Sequence, residues 1–100
     1  MPRESSIVVS IKKRVNAMPR CRTIKLHGGE YSVAGTPDLT GCCDGRSFWI
    51  EVKRPGEKVT PKQAHELDLW LACNALVGVA RSADDAIAIL NGDREWPRDQ

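Results

Sequence analysis

The chain has 100 residues, the size of one small folded domain rather than two. Hydrophobic residues make up 41% and charged residues 28%, as in soluble globular proteins, which excludes a disordered tail, a collagen-like fibre and a coiled-coil rod. No apolar run approaches the roughly 20 residues of a membrane helix, and Ile7–Val9 is too short for a signal peptide. We therefore expect a cytoplasmic protein with no membrane partner.

The net charge of +2 conceals an uneven distribution. Residues 1–25 hold seven basic residues and one acid, a net +6, whereas residues 26–100 hold eight basic and twelve acidic residues, a net −4. A basic amino-terminal quarter favours an anionic partner such as nucleic acid. The alternative is a solvated helix face with no partner.

The first 40 residues predict a helix, a strand and a loop. The helix has one apolar face because its apolar residues recur at i, i+4 and i+8: Ile7, Ile11 and Val15. Ser5 and Ser6 are its candidate caps, and Pro19 marks its end. A short strand is predicted over residues 22–26, and a loop over residues 30–37, where glycine and proline interrupt regular structure.

The middle of the chain predicts a β-hairpin. Asp44-Gly45 is a strong turn signal between a strand over residues 38–43 and a second strand over residues 47–53. Alternation along the second strand places Glu51 and Lys53 on one face. The opposite face carries three apolar residues: Phe48, Ile50 and Val52.

The remaining elements complete an α/β pattern. Thr60-Pro61 opens a helix that runs to about Cys73, residues 75–80 read as a strand buried on both faces, and residues 83–90 form a last helix. The order α-β-β-β-α-β-α predicts a mixed central sheet flanked by helices. Residues 93–100 are expected to form a flexible C-terminal tail.

The four cysteines indicate neither a zinc site nor a secreted protein. They lack CxxC spacing, and the adjacent Cys42 and Cys43 would point to opposite faces of a strand, where they could not readily share a metal ion. Free cysteine is among the most buried residue types. We therefore predict reduced structural thiols.

Three charged residues stand where an apolar sheet would not place them. Asp38 begins a strand, and Glu51 and Lys53 share a face of the strand across the hairpin. Burying such charges is costly unless they are paired or bind a metal. Two close carboxylates would bind a hard cation such as Mg²⁺, and a lysine beside them would stabilise charge that develops during phosphodiester hydrolysis. The alternative is a partly exposed Glu–Lys ion pair of little energetic consequence.

Three ordered blocks of sequence resemble the VRR-NUC family of the PD-(D/E)xK nuclease superfamily. They are Gly-Thr-Pro-Asp-Leu at 35–39, Phe-Trp-Ile-Glu-Val-Lys-Arg-Pro at 48–55 and Val-Thr-Pro-Lys-Gln at 59–63. The PD…ExK core alone arises by chance, but the three blocks in order and at the right spacing are specific. The resemblance covers about residues 4–90 and implies a single nuclease domain over residues 1–92 with a restriction-endonuclease-like core.

The resemblance also implies an activity and a metal site. The expected activity is hydrolysis of DNA phosphodiester bonds by an endonuclease that depends on Mg²⁺ or Mn²⁺. Asp38 and Glu51 are the expected metal ligands, together with the backbone carbonyl of Val52. Lys53 is expected to assist the nucleophilic water and to stabilise the transition state.

Other residues are assigned with less support from the pattern. Gln63 matches a glutamine that supports the family's active site. Glu4 matches an acid in the family's first helix that completes the metal site, although an acid is also favourable at any helix start. Basic residues near these motifs and on the first helix are candidates for DNA binding: Lys12, Lys13, Lys25, Arg54, Lys58 and Lys62.

Two functions remain open from the sequence. Small stand-alone members of this family are similar to Holliday-junction resolvases and many occur in phages or prophages, so we expect a structure-selective endonuclease acting on junction or branched DNA. A junction has two-fold symmetry, so paired nicking predicts a homodimer. The alternative is a non-catalytic DNA-binding module that retains the fold, and the presence of four motif residues argues against it: Asp38, Glu51, Lys53 and Gln63.

Overall fold

The structure is a computed structural model that describes residues 3–28 and 33–97. Within these ranges the elements are α1 (Glu4–Asn16), β1 (Cys21–Lys25), β2 (Leu39–Cys43), β3 (Arg46–Val52), α2 (Pro61–Ala72), β4 (Leu76–Ala80) and α3 (Ala83–Leu90). The predicted order and the α/β fold class are confirmed. Of the predicted loop, residues 30–32 lie outside the described residues, and residues 33–37 form neither helix nor strand. No described helix combines the length and apolarity needed to cross a membrane.

The sheet register determines which side chains meet. Strand order is β1-β2-β3-β4, with antiparallel pairs up to β3 and a parallel β3–β4 pair joined through α2. Asp44 and Gly45 both have positive φ, as the predicted two-residue hairpin requires. Leu39 pairs with Ile50, so the same register carried back by one residue sets Asp38 opposite Glu51.

Helices cover the sheet on both faces. On one face α1 packs over β1 and β3 and α3 packs over β4, around a core that includes Ile11, Phe48 and Ile89. On the other face α2 packs over β3 and β4. Strand β3 therefore lies between two apolar layers, and the side chains of both its faces are removed from water along its second half.

The start of α1 differs from the prediction. Arg3, rather than Ser5 or Ser6, is the N-cap: its carbonyl accepts hydrogen bonds from Ser6 and Ile7, and its side chain makes no capping bond. The helix consequently begins at Glu4, whose negative charge is favourable in a first turn. This earlier start extends α1 towards the end of the sheet at which Asp38 lies.

The prediction of four reduced thiols is wrong for one pair of cysteines. Cys21 and Cys43 are directly opposite each other across β1 and β2, with Cα atoms 4.1 Å apart, and form a disulfide. Cys42 and Cys73 are free and exposed. The sequence separation of 22 between Cys21 and Cys43 hides this pairing, because only the strand register brings the two cysteines together. Cys42 and Cys43 do point to opposite faces, as expected.

A side chain forms hydrogen bonds with the outer edge of β1. Asn16, the last residue of α1, accepts a hydrogen bond from the Thr23 backbone N–H at 2.8 Å and donates one to the Thr23 carbonyl at 3.3 Å. The amide of Asn16 thus satisfies both backbone groups that the middle residue of this edge strand turns outward.

The expectation of a flexible tail from residue 93 is wrong for residues 93–97; residues 98–100 lie outside the described residues. Trp96 is only 4% exposed and packs against the α2 side of the sheet with Leu67 and Val77. Its backbone N–H donates to the Val77 carbonyl at 2.9 Å, and its indole N–H donates to Asp68 at 2.6 Å. Burial of a large indole anchors the segment.

We expect Trp96→Ala to lower the free energy of unfolding by about 3 to 5 kcal/mol, the usual cost of removing a buried aromatic side chain. Urea denaturation measures this change. Trp96→Phe is the matched control: it retains most of the apolar contact, loses only the bond to Asp68, and should cost less. An unchanged midpoint for Trp96→Ala would contradict the packed position of the segment.

Candidate active site

Asp38 and Glu51 form a hydrogen-bonded carboxyl pair where β2 begins and β3 ends. Asp38 Oδ2 accepts a hydrogen bond from the Val52 backbone N–H at 2.8 Å, and Asp38 Oδ1 lies 3.3 Å from the Lys25 ammonium. The side chain of Asp38 therefore continues the β2–β3 ladder by one step. The hairpin predicted from Asp44-Gly45 produces this meeting, because it fixes the register.

Glu51 and Lys53 are buried charged residues on the same face of the strand. Glu51 is 3% exposed and Lys53 is 8% exposed. Lys53 follows β3 directly, and its backbone N–H donates to the Ala80 carbonyl, which extends the pairing with β4. The Glu51 Oε2 atom is buried without a hydrogen-bond partner in the part of the chain that the structure describes. A buried unpartnered carboxylate oxygen is costly and suggests a ligand at this point.

The carboxyl pair shares one proton at neutral pH. Burial raises the pKa of Glu51 to about 9, and the hydrogen bond to Asp38 and its negative charge act in the same direction. Burial also raises the pKa of Asp38, but the hydrogen bonds from Glu51, Val52 and Lys25 outweigh it and hold that pKa below its ordinary value. Glu51 therefore carries the proton, and its O–H donates a hydrogen bond to the Asp38 carboxylate.

The loop before Asp38 rests on the first turn of α2. Gly35 has φ +82°, and a Cβ at this position would lie 2.5 Å from the Lys62 carbonyl oxygen. Only glycine allows this approach together with that backbone conformation. The sequence block around Asp38 and the block that opens α2 are therefore in direct contact, which explains why both occur in one pattern.

Gln63 lies in the first turn of α2 and makes no described hydrogen bond to the carboxyl pair. The Thr60 backbone N–H donates to Gln63 Oε1 at 2.9 Å, while the Gln63 backbone N–H donates to Thr60 Oγ1 at 3.2 Å. This reciprocal arrangement is a capping box. The predicted support of the active site by Gln63 is thus indirect in this structure, since Gln63 stabilises the turn on which Gly35 packs.

Glu4 reaches the site region but is bonded elsewhere. Burial and a hydrogen bond with Glu57 raise the pKa of Glu4, which also interacts electrostatically with Lys53 and Asp38. The beginning of α1 thus adds a third carboxyl group near the pair. Its direct partner is Glu57 rather than Asp38 or Glu51.

Glu57 is a site residue that the sequence reasoning missed. Its Oε1 atom accepts the Arg54 backbone N–H at 2.6 Å and the Arg54 Nε at 3.2 Å. The backbone hydrogen bond from Arg54, with its side chain, lowers the pKa of Glu57 to about 2. The Arg54–Glu57 spacing of three across Pro55-Gly56 is the signal that could have identified it, because such a turn brings the two side chains together.

Of the six basic residues assigned to DNA, Lys25 contacts the carboxyl pair directly, through Asp38. Arg54 follows Lys53, and its carbonyl accepts a hydrogen bond from Arg81. Lys58 and Lys62 are exposed on the loop before α2 and on its first turn. Arg54, Lys58 and Lys62 thus lie on the stretch of chain between the end of β3 and the first turn of α2.

Lys12 and Lys13 lie apart from this group. They occupy the third turn of α1, eight and nine residues beyond Glu4, which is about 12 to 14 Å along a helix axis. Lys13 is exposed and Lys12 is half-buried. A DNA duplex would contact them only through a footprint that extends beyond the carboxyl pair.

The donor atoms fit a hydrated hard cation rather than a closed metal cage. Within residues 3–28 and 33–97 there is no group of three or more His, Cys, Asp or Glu side chains arranged to hold a metal ion. Two carboxylates and a backbone carbonyl suit Mg²⁺ or Mn²⁺, because Mg²⁺ commonly binds through one or two carboxylates and retains several waters. The unpartnered Glu51 Oε2 is the buried atom that such a cation would satisfy.

Comparisons with known proteins bear on the fold. No family model and no curated protein matches the chain. Among solved structures, one described as a "VRR_NUC domain protein" superposes with a TM-score of 0.73 over 90% of this chain and 86% of that one, at 18% sequence identity. The chain therefore has an α/β fold. More narrowly, its fold is that of the VRR_NUC domain protein, which confirms the predicted resemblance at the level of the fold.

The carboxyl pair predicts an unusual dependence of stability on pH. Between the ordinary pKa of 4.5 and the raised value of about 9, Glu51 holds a proton in the folded protein and none in the unfolded chain. The free energy of unfolding should therefore fall as pH rises through this window, by at most about 1.4 kcal/mol per pH unit.

Glu51→Gln keeps the shape of the side chain and cannot titrate, so it should remove this slope. Urea denaturation in EDTA from about pH 5 to about pH 8.5 measures it. Glu66→Gln, on α2 outside the pair, controls for the loss of a carboxyl group. Equal slopes for Glu51→Gln and the wild-type protein would contradict a shared proton.

Proposed function

We propose that the protein is a metal-dependent endonuclease that hydrolyses DNA phosphodiester bonds. The observation that supports this most strongly is the Asp38–Glu51 carboxyl pair beside buried Lys53, set in a VRR-NUC fold. Buried charged groups such as these contribute little to the stability of a fold. Their free-energy cost therefore favours a chemical role. The cluster lies where β2 begins and β3 ends, next to a loop and a helix start that a substrate could reach.

Asp38, Glu51 and the Val52 carbonyl would hold Mg²⁺ or Mn²⁺. The cation supplies a water nucleophile of lowered pKa and neutralises charge on the phosphate when bound. Asp38 is oriented for this role by the Val52 N–H, and Glu51 must release its proton to serve as a ligand. Glu4, at the start of α1 beside Glu57, would complete the metal site.

Lys53 provides the positive charge of the site. Its ammonium group lies near enough to Glu51 and Glu4 to lower the pKa of both carboxyl groups. Because Lys53 is largely excluded from solvent, its charge acts over a short distance through a medium of low dielectric constant. It would orient the attacking water and stabilise negative charge on the phosphate oxygens in the transition state.

DNA is the proposed partner, and branched or junction DNA the proposed substrate. Lys25, which contacts Asp38, and the exposed Arg54, Lys58 and Lys62 would bind phosphates near the site, with Lys12 and Lys13 as more distant phosphate contacts. Such contacts make binding sensitive to salt, because they release counterions from the DNA. A non-catalytic DNA-binding module is the second candidate function, supported by the basic residues alone.

The function is tested by incubating labelled DNA with Mg²⁺, Mn²⁺ or EDTA and comparing the wild-type protein with Lys53→Met. The substrates are a four-way junction, a 5′ flap, a linear duplex and a single strand. We expect cleavage that depends on metal and falls by a factor of about 100 or more in Lys53→Met, since a single charge-stabilising group commonly contributes this much.

Two controls accompany this experiment. Fluorescence anisotropy should show that Lys53→Met still binds the same DNA, and its circular dichroism should match that of the wild type. Wild-type protein that binds the panel and never cuts it would reject the nuclease and favour the DNA-binding module.

A homodimer is proposed because paired nicking of a junction needs two active sites and one chain of this fold supplies one. Light scattering coupled to size-exclusion chromatography should give twice the mass of the chain in the presence of junction DNA, after subtraction of the DNA. A mass of one chain per junction, with single nicks on a cruciform plasmid, would contradict paired cleavage.

A further inference from the structure

Lys25 is bonded to the carboxylate at the centre of the site. Its ammonium lies 3.3 Å from Asp38 Oδ1 and donates to the Leu26 carbonyl at 2.9 Å. The other Asp38 oxygen, Oδ2, is held by the Val52 N–H. Both oxygens of Asp38 therefore have a donor in addition to Glu51, and Lys25 is the flexible, positively charged one.

A divalent cation and the Lys25 ammonium would approach the same carboxylate. Mg²⁺ or Mn²⁺ binds a carboxylate oxygen at about 2.1 Å, which would bring it close to an ammonium 3.3 Å from Asp38 Oδ1. Repulsion between two positive charges at such a separation is substantial in a site that is partly removed from water. The cation must therefore bind against this repulsion or displace the ammonium.

We propose that Lys25 is an internal counter-ion of Asp38 that competes with the divalent cation and thereby weakens metal binding at this site. This inference rests on the proposed function, because it assumes that Asp38 is a metal ligand. Lys25 is thus a positioning residue that acts through Asp38.

The Val52 and Lys25 donors to Asp38 differ in their freedom to move. The Val52 N–H belongs to β3 and is fixed by the sheet, whereas the Lys25 side chain is 31% exposed and ends a four-carbon stem at the end of β1. The ammonium can move into solvent without disturbing the backbone. A metal ion that displaced the ammonium would therefore move only the Lys25 side chain. Asp38 would keep the orientation that its hydrogen bond with Val52 gives it.

The chain offers a matched control on the same strand. Arg22 is exposed on β1, carries the same charge as Lys25, and pairs with Cys42 at the far end of the β1–β2 ladder from Asp38. Arg22→Met removes one positive charge from the strand and leaves the contact with Asp38. It measures the general effect of net charge on metal affinity.

The test is Mn²⁺ binding, followed by the electron paramagnetic resonance signal of free Mn²⁺ at constant pH and ionic strength, with no DNA present. Lys25→Met should bind Mn²⁺ about tenfold more tightly than the wild type, because it removes the competing charge and keeps the apolar stem. Lys25→Arg, which restores the charge, should stay within about twofold of the wild type, as should Arg22→Met. Asp38→Asn should lose the site.

The outcomes separate this inference from the proposed function. Equal Mn²⁺ affinities for Lys25→Met and Arg22→Met, or weaker binding by Lys25→Met, would overturn the counter-ion role while Asp38-dependent binding upheld the metal site. Absence of Asp38-dependent binding in every variant would overturn both. Thermal unfolding in EDTA checks that each variant is folded, and Lys25→Gln replaces Lys25→Met if the latter is not.

Discussion

The hydrogen bond from the Val52 N–H to the Asp38 carboxylate is the contact on which the site depends. It uses a side-chain oxygen in place of a backbone carbonyl to extend the ladder between β2 and β3. The direction of Asp38 is therefore set by the register of a hairpin rather than by its own rotamer preferences. Glu51 is brought opposite by the same register, so the two carboxyl groups meet and the proton that they share follows from their distance and burial.

Burying charged groups costs free energy of folding in a small protein, and this cost indicates that the groups have a function. Strand β3 runs between two apolar layers, where a carboxyl group and an ammonium lose most of their hydration. Apolar residues of similar volume in such places are often neutral or stabilising. A fold that retains Glu51, Lys53 and an unpartnered Glu51 oxygen departs from the rules of a stable core, and such departures concentrate at functional sites.

Local signals made much of the fold predictable. The Asp44-Gly45 turn, the apolar spacing of α1 and the Thr60-Pro61 start of α2 each act over a few residues, and each specified its element. The pairing of Asp38 with Glu51 was predictable because the hairpin turn determines which residues of its two strands lie opposite each other. The roles proposed for these residues were accessible only through the ordered motif blocks, and no contact in the fold tests them.

Features that depend on distant contacts were missed. The Cys21–Cys43 disulfide requires the register of a strand pair whose connection carries no turn signal, and the docking of Trp96 requires a surface built by α2 and β4. Glu57 escaped notice because its partner, Glu4, is more than 50 residues away in the chain. Gln63 has the predicted position, but its capping role depends on rotamers that a motif does not specify.

The amide of Asn16 has a consequence for how copies of this chain can meet. An added strand would need the outward N–H and carbonyl of Thr23, and Asn16 already bonds both. At the opposite edge of the sheet, the Trp96 backbone N–H donates a hydrogen bond to the carbonyl of Val77. Near the middle of each edge strand, backbone groups are thus already hydrogen-bonded to a residue outside the sheet. This discourages growth of a continuous intermolecular sheet. Any self-association must instead bring side-chain surfaces together, leaving the end of the sheet that carries Asp38 open to a ligand.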